Sequence, residues 1–503
     1  MGRRVRLLGV VLMALFGLVI IQLVNIQYNR APALRASSFN PRNEAKAADN
    51  QRGDIYASDN TLLAHSVRTT SGSFDYTRQY PGGDLYSQIV GFDSTYEGTA
   101  GVEYEYGSQL SVHQQPAQNL SQALGLETKP TTTDSVMLTV DPKLQKAAQA
   151  ALSQVTGANR DAAVVAIDPS TGAVLADYSN PTFDPAPLEA TNTTAGTQEQ
   201  QLAALAYFKT PDHEGFYPGL PLATAELFPP GSTFKTVTTA AVYNLDPSLS
   251  NFTFTPAAST KLPDTTKLLN NDGGEVCGGS IAVMLPQSCD PGYGLLGIAL
   301  GAPTLEKQAD LFGYNSRPPI DLPNSWVATP AFPAVSALSG TNVPFLAYSA
   351  IGQDNVLASA LSDALVAAGL ANGGAIMTPH VMAQIRDSQG NAVTTYQPKV
   401  WLQATSADAA AKVTALMKLV ATQGTAAGVG FSPSLDVAVK TGTAQSGNAQ
   451  ANTDDWMIGF APASHPTIAV AVVVPLQNFV NTGAGIAGPI MKAMLDAALL
   501  PQG

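Results

Sequence analysis

The most apolar stretch of the chain runs from Leu7 to Val24, broken only by Gln22, and Arg3, Arg4 and Arg6 stand in front of it. About 18 apolar residues suffice to span a bilayer core. Basic residues ahead of such a run predict an N-terminus inside and the remainder outside. A cleaved leader is the rival expectation, with Ala31-Pro32-Ala33 as a weak cleavage site. Polar Asn25, Gln27, Asn29 and Arg30 separate that site from the run, whereas cleavage normally follows the apolar region closely. An uncleaved single-pass anchor is therefore expected, with the bulk of the chain outside the membrane.

Beyond the anchor the pattern changes. Tyr28 to Asn50 is polar and Ala/Asn-rich, as a stalk would be. From Arg52 to Leu126 short apolar stretches, with a strand expected around Ser66, are cut by turns at Pro81-Gly82-Gly83, Gly98 and Gly101. Lys129-Pro130-Thr131 reads as a linker, and Val136 to Val140 as a strand. Asp141 caps a helix that Pro142 opens and Leu144, Ala148, Ala151 and Leu152 continue. Ala162–Ile167 and Ala173–Tyr178, separated by the turn Asp168-Pro169-Ser170-Thr171-Gly172, read as a hairpin. Val356–Gly369 and Ala407–Thr422 carry helical periodicity, while Val437–Thr443 and Thr467–Val474 read as core strands. The expected division is an anchor over 1–27, a small β-rich module over 28–134, and a large α+β domain over 135–503.

Composition narrows the chemistry. Of 503 residues 45% are apolar and 13% charged, against ~25% charged in an average domain. The apolar share excludes a disordered chain, and the length supports a large core. A net charge of −12 argues against nucleic-acid binding, which rests on Lys and Arg neutralising phosphate. Five scattered histidines (His65, His113, His213, His380, His465) contain no HExxH pair, so no metal is expected. Cys277 and Cys289 are the only cysteines. Outside the membrane they could pair and close a short loop, or stand as two free buried thiols; both readings are open.

Three segments carry candidate chemistry. In Pro229-Pro230-Gly231-Ser232-Thr233-Phe234-Lys235 a turn precedes an Ala-rich helical run, which places Lys235 one turn from Ser232 on the same face. A serine needs an adjacent base to become a nucleophile, and a lysine serves only if burial or a nearby cation lowers its pKa. Lys440-Thr441-Gly442-Thr443 lies on an expected strand and supplies that second cation. Thr441 and Thr443 offer hydroxyls to a carboxylate, and Gly442 would let a substrate backbone approach a strand edge. Ser288-Cys289-Asp290 falls between the two, as a hydroxyl bridging two lysines would.

In this order the three segments resemble the SxxK, SxN and KTG motifs of the serine penicillin-recognising enzymes, and more narrowly the class B penicillin-binding proteins. Arg52-Gly53-Asp54-Ile55-Tyr56 and Gly101-Val102-Glu103 are similar to that family's N-terminal pedestal. Thr378-Pro379-His380 and Asp455-Trp456-Met457-Ile458-Gly459 fall where the family has similar strings. With no glycosyltransferase domain between anchor and pedestal, the wording is most similar to the actinobacterial PbpA group. The departure is Asp290, where the family usually has Asn. An ionised Asp accepts hydrogen bonds but does not donate them; two nearby lysines would keep it charged and ordered.

The resemblance implies an α+β penicillin-binding transpeptidase domain, its antiparallel sheet packed between helices, and cross-linking of peptidoglycan stem peptides. Lys235 would take the Ser232 proton, and Ser232 would attack a D-Ala-D-Ala carbonyl. Backbone N–H groups of Ser232 and Thr443 would form the oxyanion hole. Ser288 would relay a proton to the departing D-Ala. Lys440, Thr441 and Thr443 would hold the terminal carboxylate, and Asp290 and Gly442 would line the substrate site. A β-lactam would trap Ser232, and no cofactor is implied. Stem peptides on a lipid-linked precursor, and a membrane glycan polymerase or divisome partner, are the implied partners. The competing expectations are a D,D-carboxypeptidase and a non-catalytic divisome scaffold or β-lactam sensor.

Overall fold

The computed structural model describes residues 2–25, 50–69, 74–94, 97–115, 119–124, 126–128, 131–156, 161–189, 195–212, 214–445, 452–478 and 482–501. The expected stalk, the Ala31-Pro32-Ala33 site, His213 and Lys129-Pro130 lie outside them. The apolar N-terminal run is a helix over Gly2–Val24, with Leu8, Met13, Phe16 and Leu18 among its exposed side chains. Among the described residues no helix is long and apolar enough to cross a membrane.

A six-stranded sheet follows the order Ala392–Thr395, Met382–Arg386, Ser135–Leu138, Ile55–Tyr56, Leu62–Arg68, Tyr76–Gln79. Ile55 and Tyr56 pair in parallel with Val136 and Met137, and the same short strand pairs antiparallel with Leu62 and Ala64. The sheet therefore crosses the boundary expected at 134/135. Buried Ile55, Ala64, Val136 and Leu138 share one face of the sheet, and buried Leu63 lies on the other.

Charge fixes the module that surrounds this sheet. Glu103 is fully buried and joins Arg52 Nε at 2.5 Å and Arg78 Nε at 2.7 Å. Burial pushes the Glu103 carboxyl up, but Arg78 and Arg52 outweigh it and hold the group below its usual range. Glu189, beyond the hairpin, accepts from the backbone N–H of Arg78 at 2.6 Å and so ties the module to the larger domain.

The second sheet is five-stranded and antiparallel, in the order Val174–Asn180, Ala162–Ile167, Ile468–Asn478, Asn452–Ala461, Ala438–Gln445. Every residue of Ala162–Ile167 is buried, as a continuous β-branched and Ala run demands of a strand covered on both faces. Helices Pro142–Thr156 and Gly483–Leu499 pack on the sheet and on each other, and helix Ala360–Ala371 packs on it with Ala407–Gln423 beside it. Asp141 Oδ1 accepts from Lys143 N at 2.8 Å, the cap that the sequence predicts.

One helix departs from expectation. Helicity was expected from Val356 but begins at Ala360, because Leu357 and Ala358 are held in bridges to Ala331 and Phe228. Ser359 and Ser362 then close a reciprocal capping box, with Ser359 N to Ser362 Oγ at 2.8 Å.

Removing the buried carboxylate leaves Arg78 without its ion-pair partner and Arg52 with only Asp93, at 3.6 Å. Glu103→Ala should cost about 3–5 kcal/mol in urea unfolding of the full chain. Because the folded pKa of Glu103 is depressed, its contribution is present above the ordinary carboxyl range and lost as pH falls through it. The gap between wild type and variant should therefore narrow in acid; a gap of under about 1 kcal/mol at neutral pH would contradict this.

Candidate active site

The nucleophile turn is Gly231–Phe234, a 3₁₀ turn that runs straight into helix Lys235–Leu245. Gly231 opens it at a φ of +56°, a left-handed value that costs other residues roughly 1–2 kcal/mol. The turn is pressed against the edge strand Ala438–Gln445. Trp456 Nε1, on the neighbouring strand, donates to Pro229 O at 2.9 Å. A Cβ on Gly442 would lie 2.7 Å from the Pro230 carbonyl oxygen. Gly442 was expected to admit a substrate backbone; the nearer reason for glycine is that the chain's own Pro230 carbonyl fills the space.

Ser288 follows helix Ile281–Gln287 in the left-handed conformation, φ 56° and ψ 39°. Its N–H is accepted by Leu285 O and that of Cys289 by Met284 O, each at 3.0 Å. This reversal turns both the carbonyl and the hydroxyl of Ser288 toward Lys235. Cys289 is bonded to Cys277, so of the two readings of these cysteines the disulfide is the one observed. Asp290 then starts helix Asp290–Leu300, and its N–H donates to Asn271 Oδ1 at 3.0 Å.

The expected residues converge. Lys235 Nζ donates to Ser232 Oγ at 3.0 Å, to Ser288 O at 2.6 Å, and to Asp290 Oδ1 at 2.6 Å, and lies 3.3 Å from Ser288 Oγ. Lys440 Nζ lies 2.9 Å from Ser288 Oγ and 2.9 Å from its neighbour's carbonyl, Thr441 O. Both lysines are fully buried, whereas Ser232, Ser288 and Asp290 are half-buried. Ser288 thus bridges two lysines, as its place between the motifs implied.

The electrostatics bear on the expected part of Lys440. Burial is the largest influence lowering the Lys235 pKa, and Asp290 opposes it. Lys440 is lowered well below its ordinary value, first by burial and then by the charge of Lys235. Like-charge repulsion acts on both amines alike, so the pair disfavours double protonation.

The threonines also divide. Thr441 is largely buried, and its hydroxyl shares a 2.6 Å hydrogen bond with Oγ1 of the exposed Thr425. Thr443 Oγ1 accepts from Gly483 N at 3.1 Å, which leaves its own proton for a carboxylate in the cleft. Among the described residues no cluster of three His, Cys, Asp or Glu could hold a metal ion.

Sequence reasoning missed the group beneath the nucleophile. Thr233 Oγ1 donates either to Pro230 O at 3.0 Å or to Asp363 Oδ2 at 2.8 Å, and Tyr314 OH lies 3.4 Å from Asp363 Oδ1. Asp363 is buried, and burial pushes its carboxyl up to about 7. The one visible signal was a lone Asp in the Ala- and Leu-rich run after Val356; its partners come from segments too distant in sequence to read.

The sheet, the N-terminal module and this serine–lysine cluster define a penicillin-recognising serine acyltransferase fold. The model of the penicillin binding protein transpeptidase domain matches residues 162–496, and that of the penicillin binding protein A dimerisation domain matches residues 52–132. The chain is 33% identical to the peptidoglycan D,D-transpeptidase PbpA of Mycobacterium tuberculosis over 516 residues, covering 99% of each. It is also 33% identical to PbpA of Mycolicibacterium smegmatis over 507 residues, again 99% of each. Penicillin-binding protein A of M. tuberculosis, solved as a ceftriaxone acyl-enzyme complex, superposes with a TM-score of 0.79 at 31% identity, covering 90% of this chain and 100% of that one. The same protein as a penicillin G acyl-enzyme complex superposes at 0.78. The chain belongs to the class B penicillin-binding proteins.

Two variants test the buried support. Thr233→Val should slow acylation by a fluorescent penicillin roughly tenfold, the equivalent of one lost hydrogen bond; an unchanged rate would show that the turn stands without Asp363. An acid whose folded pKa of about 7 exceeds its unfolded value near 4 contributes most below pH ~4 and loses that contribution as pH rises. The melting temperature of Asp363→Asn relative to wild type should therefore rise between about pH 4 and pH 7 and level off above. A difference independent of pH would contradict the burial of an ionisable Asp363.

Proposed function

We infer that this chain is a peptidoglycan D,D-transpeptidase that joins stem peptides through an acyl-enzyme on Ser232. The observation that carries the reading is Lys235 Nζ at 3.0 Å from Ser232 Oγ, with Ser288 linking it to Lys440. The hydroxyl gives up its proton toward Lys235 as Oγ attacks the carbonyl of the penultimate D-Ala. Two backbone N–H groups, those of Ser232 and Thr443, stabilise the oxyanion; such a donor is worth about 3 kcal/mol. Ser288 passes a proton to the departing D-Ala nitrogen. Lys440 and Thr443 bind the terminal carboxylate, and Thr441 supports them from behind through Thr425. An amine of a second stem peptide then attacks the acyl-enzyme and releases Ser232.

The strand Ala438–Gln445 is the open edge of its sheet, so an extended peptide can add to it by backbone pairing. A β-lactam offers a carboxylate and a strained amide in the same spacing and would be trapped on Ser232. Residues 28–134 serve as a pedestal and 135–503 as the catalytic domain. The helix Gly2–Val24 holds the chain at the membrane as a single-pass anchor with the catalytic domain outside. That placement is supported by its unpacked apolar side chains and the preceding arginines. From there the site meets stem peptides of a lipid-linked precursor beside a membrane glycan polymerase.

Full-length wild type should be labelled covalently by a fluorescent penicillin and Ser232→Ala should not. A folded wild type that stays unlabelled would remove the enzymatic reading. In cell fractions the chain should sediment with membranes, and a chain lacking residues 1–27 should be soluble; equal distribution of the two would refute the anchor.

A further inference from the structure

The position of the protons in the lysine cluster follows from its hydrogen-bond count. An ammonium has three protons to place. Lys235 Nζ has three acceptors close by: Ser288 O and Asp290 Oδ1, each at 2.6 Å, and Ser232 Oγ at 3.0 Å. One of them is a carboxylate, so a charge on Lys235 is both paired and fully hydrogen-bonded. Lys440 is as deeply buried, but no carboxylate lies within ion-pair distance of it among the described residues. Its neighbours are Ser288 Oγ and Thr441 O, both at 2.9 Å. A buried charge without a partner is costly.

The hydroxyl of Ser288 makes the same distinction. It has one proton, and its neighbours are the two lysines, Lys235 at 3.3 Å and Lys440 at 2.9 Å. Were both lysines ammonium ions, Ser288 would accept twice and its own proton would have no acceptor among the described residues. With Lys440 neutral, Ser288 donates to the Lys440 lone pair and Lys440 donates to Thr441 O, so a single N–H of Lys440 is left over instead of an N–H and the Ser288 proton. The other charged groups that act on Lys235 are Asp290 and Asp272, and both favour its charged form. On Lys440 the charge of Lys235 acts against protonation, and Asp290 favours it less strongly.

We propose that Asp290 fixes the resting charge on Lys235, leaves Lys440 neutral, and so makes Lys440 the acceptor, through Ser288, of the proton that Ser232 gives up. This rests on the acyl-enzyme reading above and changes the direction of its proton traffic. Ser288 hands its proton to Lys440 Nζ and takes one from Lys235 Nζ, and the lone pair so freed on Lys235 takes the Ser232 proton as the Ser232 Oγ–carbonyl bond forms. The carbonyl π pair moves to the oxyanion, and both lysines are then charged. The substrate carboxylate arriving beside Lys440 supplies the partner that the new charge needs. When the C–N bond breaks, Ser288 protonates the leaving nitrogen and recovers a proton from Lys440, which is neutral again. Asp290 touches no reacting atom and acts through Lys235 as a positioning residue, while Lys440 takes part in the transfer.

Arginine keeps a positive charge at position 440 but does not give up a proton at neutral pH. Lys440→Arg should therefore lower the second-order rate of labelling by a fluorescent penicillin roughly 100-fold, the range of a lost general base. Asp290→Asn removes the counter-ion that keeps Lys235 charged, so the Asp290→Asn, Lys440→Arg double variant should regain roughly tenfold over Lys440→Arg alone. Labelling of Lys440→Arg within about fivefold of wild type, or a double variant no faster than the single one, overturns the assignment. A wild type that takes up no penicillin overturns the acyl-enzyme reading itself, and this assignment with it. NMR of isotopically labelled lysine side chains in the wild type decides the point even where a variant does not fold. An uncharged Lys440 beside a charged Lys235 at neutral pH is expected, and a charged Lys440 overturns the proposal.

Discussion

Two lysines buried around one serine hydroxyl, with a single carboxylate in direct contact, is the constraint on which the rest of this structure depends. Lysine is among the residues least often buried, and like charges at this range oppose each other. The site exists because the fold supplies acceptors in number. Ser288 gives its carbonyl to Lys235 and sets its hydroxyl between the two lysines, and it does so because the backbone there adopts the left-handed conformation. Asp290 gives a second close acceptor and the countercharge, and Ser232 Oγ the third. The disulfide at Cys289 and the hydrogen bond from Asp290 N to Asn271 tie this reversal to the preceding loop.

The larger architecture brings these pieces to one place. The strand bearing Lys440 is the last of its sheet, so one side is free for a peptide and the other is held along its length by Asn452–Ala461. The nucleophile turn docks on that strand through backbone groups, with Gly231 and Gly442 removing the side chains that would keep them apart. Below the turn, Thr233 and Asp363 connect it to helix Ala360–Ala371, which packs on the centre of the same sheet. The acyl-accepting serine thus stands on the rigid part of the domain, where a reacting geometry is best preserved.

What could be read from sequence was what local geometry controls. The Ser232–Lys235 spacing fixes a common helix face, the run around Lys440 fixes a strand, and Asp141-Pro142 fixes a helix start; each appears where the pattern placed it. Ser288 between the lysines was legible from motif order. Contacts between distant segments were not legible. Thr441 and Thr443 are two residues apart, yet one is hydrogen-bonded to Thr425 and the other to Gly483 N. The pairing of Ile55–Tyr56 with Val136–Met137 joins segments that composition separated. The start of helix Ala360–Ala371 was set by bridges to Phe228 and Ala331, which no periodicity encodes. That Asp290 would lie beside the lysines was legible; which of them it pairs with, Lys235, was not.

The central claim is that an acyl group passes through Ser232 to an amine. Product analysis tests it most directly. The full-length protein would be incubated with a donor peptide ending in D-Ala-D-Ala and an acceptor peptide bearing a free amine, and the mixture read by mass spectrometry. The account predicts one D-Ala released for each acceptor joined to the donor, with the transient acyl group mapped to Ser232. Donor hydrolysis without joined product, or joined product from Ser232→Ala, would contradict it.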